Sequence, residues 1–212
     1  RDGEAAAHPV AAALRETLER YGFVAAPLLE LIDARAFDLY DEPMATIDDL
    51  ELYGIRTQSP VFAMAVGILS NGGAPPELFT LDASVAFAIG GILSGLGRHA
   101  SRRQLYVPLD VLDRHQVKRE EIFAGQVSEP LRAALAEMRA LARQHLSLAQ
   151  TKLTFAALEI LPALLPVALV GPMLRRMERR GYEPFAFNPM PPWRRQWLLW
   201  RAARDPHRIF RP

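Results

Sequence analysis

The sequence predicts an all-α fold on three observations. Segments rich in Ala, Leu and Arg repeat their apolar residues at helical period, no run alternates as a half-buried strand would, and half of the chain is apolar. With 212 residues there is enough material for one large domain or two small ones, and for a sizeable buried core.

The elements follow in order. Pro9 near its start and Gly22 past its end bracket a first helix from His8 to Tyr21. Pro27 to about Leu39 is a second, with Leu28, Leu29, Ile32 and Phe37 available for the core. Thr46-Ile47-Asp48-Asp49 is a capping box with Asp in place of Glu, and it opens a third helix to about Ser70. Pro60 inside that helix predicts a kink or a break. Asn71 to Pro76, NGGAPP, is a loop by turn chemistry. Leu81 to about Leu96 is a central, buried helix whose Ala and Gly residues permit close helix approach. A short helix from Leu109 to His115 follows Pro108. Ser128-Glu129-Pro130 caps a long helix reaching about Leu158. Pro162, Pro166 and Pro172 interrupt the apolar stretch beyond it, and a last helix starts near Pro192. The stretch from Phe155 to Leu174 has the length to span a bilayer. Its Glu159 and three prolines favour a bent helix inside the core.

Composition excludes several functions. A formal net charge of +1 argues against a nucleic-acid-coating protein. The absence of cysteine removes disulfides, thiolate metal sites and a cysteine nucleophile. No signal peptide opens the chain, and its abrupt start leads us to expect natural residues before Arg1. His8, His115, His145 and His207 are scattered and suggest no metal site by spacing. There is no nucleophile elbow, P-loop or dinucleotide fingerprint.

Three patches carry candidate chemistry. Asp38, Asp41 and Glu42 are either magnesium ligands or a solvated helix end before Pro43. Arg98, His99, Arg102 and Arg103 either grip an anion or are cations at a helix C-terminus, where the dipole favours them. Trp193, Trp197 and Trp200 form one helical stripe beside Arg194, Arg195, Arg201 and Arg204. Such a helix lies in a membrane interface or docks on a partner. Alternatively, its tryptophans close the core against the long helix of residues 130–158.

The basic patch carries a resemblance. GILSGLGRHASRRQLYVPLDVL is similar to the second aspartate-rich region of the squalene/phytoene synthase family, where the pattern runs roughly NILRDxxEDxxxGRxYLP. HPVAAALRETLERYGFVAAPLLELIDARAFDL resembles the segment before that family's central helix. TIDDLELYGIRTQSPVFAMAVGIL resembles its T-x-x-E-L-x-x-Y-x-x-x-x-A-G-x-V-G segment. Together these cover most of residues 8–123. The resemblance implies an isoprenoid-synthase-type helical bundle around a central cavity. It implies a single domain over 1–212 that lacks the N-terminal part of the family domain. Working members condense two prenyl diphosphates head to head, with magnesium held by two aspartate-rich motifs on facing helices.

The departures decide the expected function. Gly95 and His99 stand where the family has the two aspartates of this motif, and Arg98 replaces the acidic residue before the second. Two carboxylates are lost and two basic groups gained, and cations repel a metal at close range. The first motif should lie upstream of His8. The small A-G-x-V-G region becomes Ser59-Pro60-Val61-Phe62. Tyr53 and Tyr106 are retained as cavity-lining positions, although Tyr106 is equally a core aromatic.

YGIRTQSP and the run from Gly97 to Phe123 resemble the non-enzymatic branch of this superfamily that assists assembly of respiratory complex I. There a His-Ser/Ala-Arg-Arg sequence replaces the second motif. His99, Ala100, Ser101, Arg102, Arg103, Pro108, Asp110, His115 and Val117 fit that branch. It implies no catalytic residue, no metal and no cofactor. The expected partners are a respiratory-chain protein, a membrane surface and a lipid or isoprenoid in the cavity, with no nucleic acid. The expected location is peripheral to the inner membrane, on the cytoplasmic side in a bacterium or the matrix side in a mitochondrion. The alternative is an active, magnesium-dependent squalene or phytoene synthase-type prenyltransferase. In that case the first motif lies upstream, and Arg98, Arg102 and Arg103 bind diphosphate.

Overall fold

The computed structural model describes residues 8–40, 42–71, 77–153 and 158–211, and among these no strand is present. Helix α1 (Pro9–Tyr21) ends at Gly22, whose φ of 67° places it in the left-handed region that closes the helix. Helix α2 (Ala26–Arg35) passes into a 3₁₀ turn (Ala36–Leu39). Neither helix buries a residue fully. Leu29 and Ile32, expected in the core, are 59% and 63% exposed; Phe37 packs against it.

Helix α3 (Ile47–Leu69) starts on the expected capping box, with Thr46 and Asp49 bonded reciprocally. The break at Pro60 does not occur. The helix runs through it, because Leu50 and Gly54 on one side and Phe62 and Val66 on the other are all buried. That packing outweighs one lost backbone bond.

Helix α4 (Glu77–Ser94) is the centre of the molecule, as its sequence predicts. It lies between α3 and α8 (Glu129–Leu153). Val85, Ala86 and Ile89 are at most 1% exposed. Gly54 lets α3 approach closely, since a Cβ there would stand 3.1 Å from Ala88 Cβ. The helix stops at Ser94, earlier than expected, and turns at Gly95 into α5 (Leu96–Ser101). Glycine is a poor continuation of a helix.

Two short helices, α6 (Leu109–Arg114) and α7 (Arg119–Phe123), lead to α8. The second of them carries no sequence signal strong enough to predict it. Ser128 caps α8 by accepting the Leu131 N–H at 3.3 Å. The apolar stretch beyond is a 3₁₀ segment (Leu158–Leu169) followed by α9 (Val170–Met177). Pro162 and Pro166 remove the N–H groups an α-helix would need there. The residues 159–177 are long and apolar enough to cross a membrane by length and composition, yet half of the window is buried in the bundle. Phe155 and the loop residues 72–76 lie outside the described residues. Helix α10 (Pro192–Arg204) packs on the 3₁₀ segment rather than on α8.

Candidate functional site

A polar pocket of about 420 Å³ opens between the turn after α2, helix α3, the end of α4 and the α5 turn. Its centre is Asp38. One carboxylate oxygen, Oδ1, accepts the hydroxyls of Tyr53 and Tyr106, each at 2.7 Å. The other, Oδ2, accepts Arg35 at 3.1 Å. Arg35 also donates to the Tyr53 hydroxyl at 3.0 Å. Gln104 reaches the Asp38 backbone carbonyl at 2.6 Å, tying the pocket's two walls together. Phe37, Tyr53 and Tyr106 form a ring triangle with every centroid distance 5.8 Å. Burial, followed by the Asp38 carboxylate, pushes both tyrosine hydroxyls well above the ordinary phenol range. Both remain protonated donors to Asp38.

The basic residues form the opposite wall. Arg98, His99 and Arg102 line the pocket with Tyr53 and Tyr106, so most of the residues singled out in the sequence come together. The His99 ring packs against Tyr106 at a tilt of 54°, with centroids 4.7 Å apart. Its Nδ1 is buried with no hydrogen-bond partner among the described residues. Burial, then Arg98, lowers its pKa below the ordinary imidazole value. Arg103 does not join this wall. Helix α5 ends with Arg103 at a φ of 57°, and its guanidinium lies 5.2 Å from the Phe123 ring centroid.

Gly95 belongs to a neighbouring, more apolar cavity of about 540 Å³ that shares Phe87, Gly91 and Arg98 with the polar pocket. A Cβ on Gly95 would stand 2.7 Å from the His99 ring. The two cavities together offer a basic head and an apolar body.

These residues do not fit magnesium. Gly95 has no ligand to give, Arg98 and Arg102 are cations, and Asp38 is already occupied by two hydroxyls and a guanidinium. No group of three or more His, Asp or Glu donors is arranged to hold a metal among the described residues. The acidic cluster is thus resolved in part: Asp38 is neither a solvated helix end nor an open ligand, Glu42 is exposed, and Asp41 lies outside the described residues. What the pocket can do chemically is hold an anion on Arg98 and Arg102.

Sequence reasoning missed a second cluster. His145 on α8 bonds Asp82 of α4 through Nδ1 at 2.9 Å and Glu51 of α3 through Nε2 at 3.2 Å. Lys152 completes it by pairing with Asp82. The four residues come from three separate helices. The available signal was that His145 and Lys152 share a face of α8, two turns apart. This network joins the three central helices. His115 and Arg114 similarly anchor α6 to Glu137 of α8, at 2.7 and 3.0 Å.

The tryptophan stripe is on the surface. Trp193, Trp197 and Trp200 are 72%, 49% and 46% exposed, so the alternative in which they close the core is overturned. The helix packs through its other face, where Ala202 is buried. Trp197 and Trp200 stack on each other at 4.9 Å, under Arg201 and Arg204. Arg194 and Arg195 lie in the first turn of the same helix.

The fold is an all-helical bundle of the isoprenoid-synthase type, and its polar pocket has a basic wall. The chain belongs to the squalene/phytoene synthase family, whose model matches residues 1–201. It is 26% identical over 177 residues to complex I assembly factor 6 of Rattus norvegicus, covering 84% of this chain and 53% of that protein. It is 27% identical over 208 residues to a phytoene synthase of Arthrospira platensis, covering 90% and 67%. The chain spans about half the length of the assembly-factor relatives it matches. Among solved structures, a squalene synthase from Alicyclobacillus acidocaldarius superposes with a TM-score of 0.74 at 20% identity, covering 84% of this chain and 68% of that one. A dehydrosqualene synthase superposes with a TM-score of 0.73 at 16% identity, over 92% and 69%.

Proposed function

We propose that this chain is a catalytically degenerate member of its family that assists assembly of respiratory complex I, working at a membrane surface. The observation that carries the proposal is the pocket's donor set. Where a diphosphate-condensing site needs carboxylates around magnesium, this pocket offers Arg98 and His99, with Gly95 in the adjoining cavity, and it commits Asp38 to Tyr53, Tyr106 and Arg35. Similarity to the mammalian complex I assembly factor over most of the chain supports the same reading. In this role the bundle is a scaffold. The apolar and basic cavities give it room for an isoprenoid or lipid with an anionic head, held without being converted. Its partner is a respiratory-chain protein.

A second reading is an active prenyltransferase, favoured by the comparable match to phytoene synthases and by the apolar cavity. Incubation with farnesyl and geranylgeranyl diphosphate plus magnesium separates the two. The assembly reading expects no squalene- or phytoene-type product. It also expects deletion in the source organism to reduce assembled complex I on native gels, with restoration by the wild-type chain. Product formation, or undiminished complex I, overturns it.

A further inference from the structure

Helix α10 is two-sided. On the side packed against the 3₁₀ segment, Ala202 is buried and Leu198 and Leu199 are half-buried. On the other side, Trp193, Trp197, Trp200 and Arg204 fall within about 60° of arc at the α-helical repeat, and all four are exposed. The chain has three tryptophans, and every one is in this stripe. An indole stabilises a soluble fold by burying its large apolar area, so a stripe holding all of them on the surface marks a contact face.

The charge on this helix is of one sign. Its sequence, PWRRQWLLWRAAR, holds four arginines and no acid. Among the described residues none of Arg194, Arg195, Arg201 and Arg204 is in an ion pair. Asp205, the acid next to the helix, is taken by Arg208 at 2.8 Å. The guanidinium carbons of Arg201 and Arg204 lie 5.9 and 4.1 Å from the Trp197 and Trp200 ring centroids. A ring attracts a cation without neutralising it, so both charges remain for an anion to meet. The leucines of α10 lie towards the bundle, so the exposed side has rings and cations but no long aliphatic chain to reach an acyl layer. In a bilayer, indoles settle at headgroup depth and cations meet headgroup phosphates at that same level. We propose that α10 lies flat in the headgroup layer of an anionic membrane, with Trp193, Trp197 and Trp200 at interfacial depth and Arg201 and Arg204 against lipid phosphates. The contact is shallow and electrostatic, which makes it reversible and sensitive to salt. It rests on the membrane part of the function proposed above and does not require complex I.

Because every tryptophan of the chain is on α10, intrinsic emission reports on this face alone. The test titrates the full chain with vesicles of phosphatidylcholine, alone or mixed with phosphatidylglycerol, and follows emission and co-sedimentation together. We expect a blue shift and binding with the mixed vesicles only, both reversed by high salt. Arg201→Gln/Arg204→Gln should weaken binding about tenfold. Arg56→Gln/Arg119→Gln, which removes equal charge from exposed positions on α3 and α7, should change it little. Thermal unfolding verifies that each variant folds. Should the α10 variant not fold, quenching of wild-type emission by brominated phosphatidylcholine in the mixed vesicles reads the contact without a variant. Emission that stays unmoved while the chain co-sediments, or equal weakening by both double variants, overturns the proposal and leaves the membrane reading standing. Absence of binding to the mixed vesicles overturns both. A blue shift that grows with protein concentration in the absence of lipid overturns the proposal in favour of a contact between two copies of the chain.

Discussion

The Asp38 pocket and the surface of α10 are both rich in arginine and aromatic rings, yet they are built in opposite ways. In the pocket Asp38 is held by residues from distant parts of the chain: its carboxylate by Tyr53 and Tyr106, and its backbone by Gln104. On α10 the rings touch one another and arginines of their own helix. The first arrangement needs the fold and supports it in return. The second needs only a helix with one face pinned. The residues of the pocket therefore serve the structure, while those of α10 leave one face open to solvent.

The sharpest way to break the comparison is to damage the pocket's scaffold without touching its polar groups. A Cβ at Gly97 would meet the Phe185 carbonyl oxygen at 2.0 Å, so Gly97→Ala should destabilise by about 3 kcal/mol in urea unfolding. Asp38→Ala comes next. It strands two tyrosine hydroxyls and Arg35, and a loss of about 2 kcal/mol is expected. A loss near zero would mean that the pocket is held by its rings alone. Arg103→Gly should act in the opposite direction. Arg103 occupies the left-handed region at a helix end, and glycine there should gain about 1 kcal/mol, less whatever the Phe123 contact contributes.

His99 adds a pH signature that α10 lacks. Its pKa in the fold is lowered, first by burial and then by Arg98, from the ordinary 6.5. The unfolded chain therefore takes up a proton first as pH falls. Stability contributed by neutral His99 is fully present above pH 6.5 and declines as pH drops from there towards the folded-state value. Unfolding of His99→Phe, measured across that range, should show a flatter profile than wild type. The smallest effect belongs to the surface: Trp193→Ala, at a ring 72% exposed, should change stability by less than about 0.5 kcal/mol. A larger loss would bring α10 into the structural class and erase the contrast.

What the sequence made legible follows the range of the interactions. The Thr46 capping box, the Gly22 stop, the Ser128 cap and the central α4 are local signals, and all are present. The resemblance to the family located the basic wall and both tyrosines. The role of Asp38 was hidden, because its partners lie on other elements and its own neighbourhood reads as an ordinary acidic helix end. The His145 network was hidden for the same reason. Pro60 was misleading because a local rule was outweighed by packing on both sides of it. The exposure of the tryptophans was undecidable from period alone, since a stripe looks the same whether it faces a core or solvent.

The approach of the His99 ring to Gly95 couples two positions. With the imidazole 2.7 Å from where any Cβ would stand, a side chain at position 95 fits only once His99 has moved or been replaced. Replacing His99 in turn removes the ring that covers Tyr106. A substitution at either position is thus conditional on the other, and the pair changes as one unit.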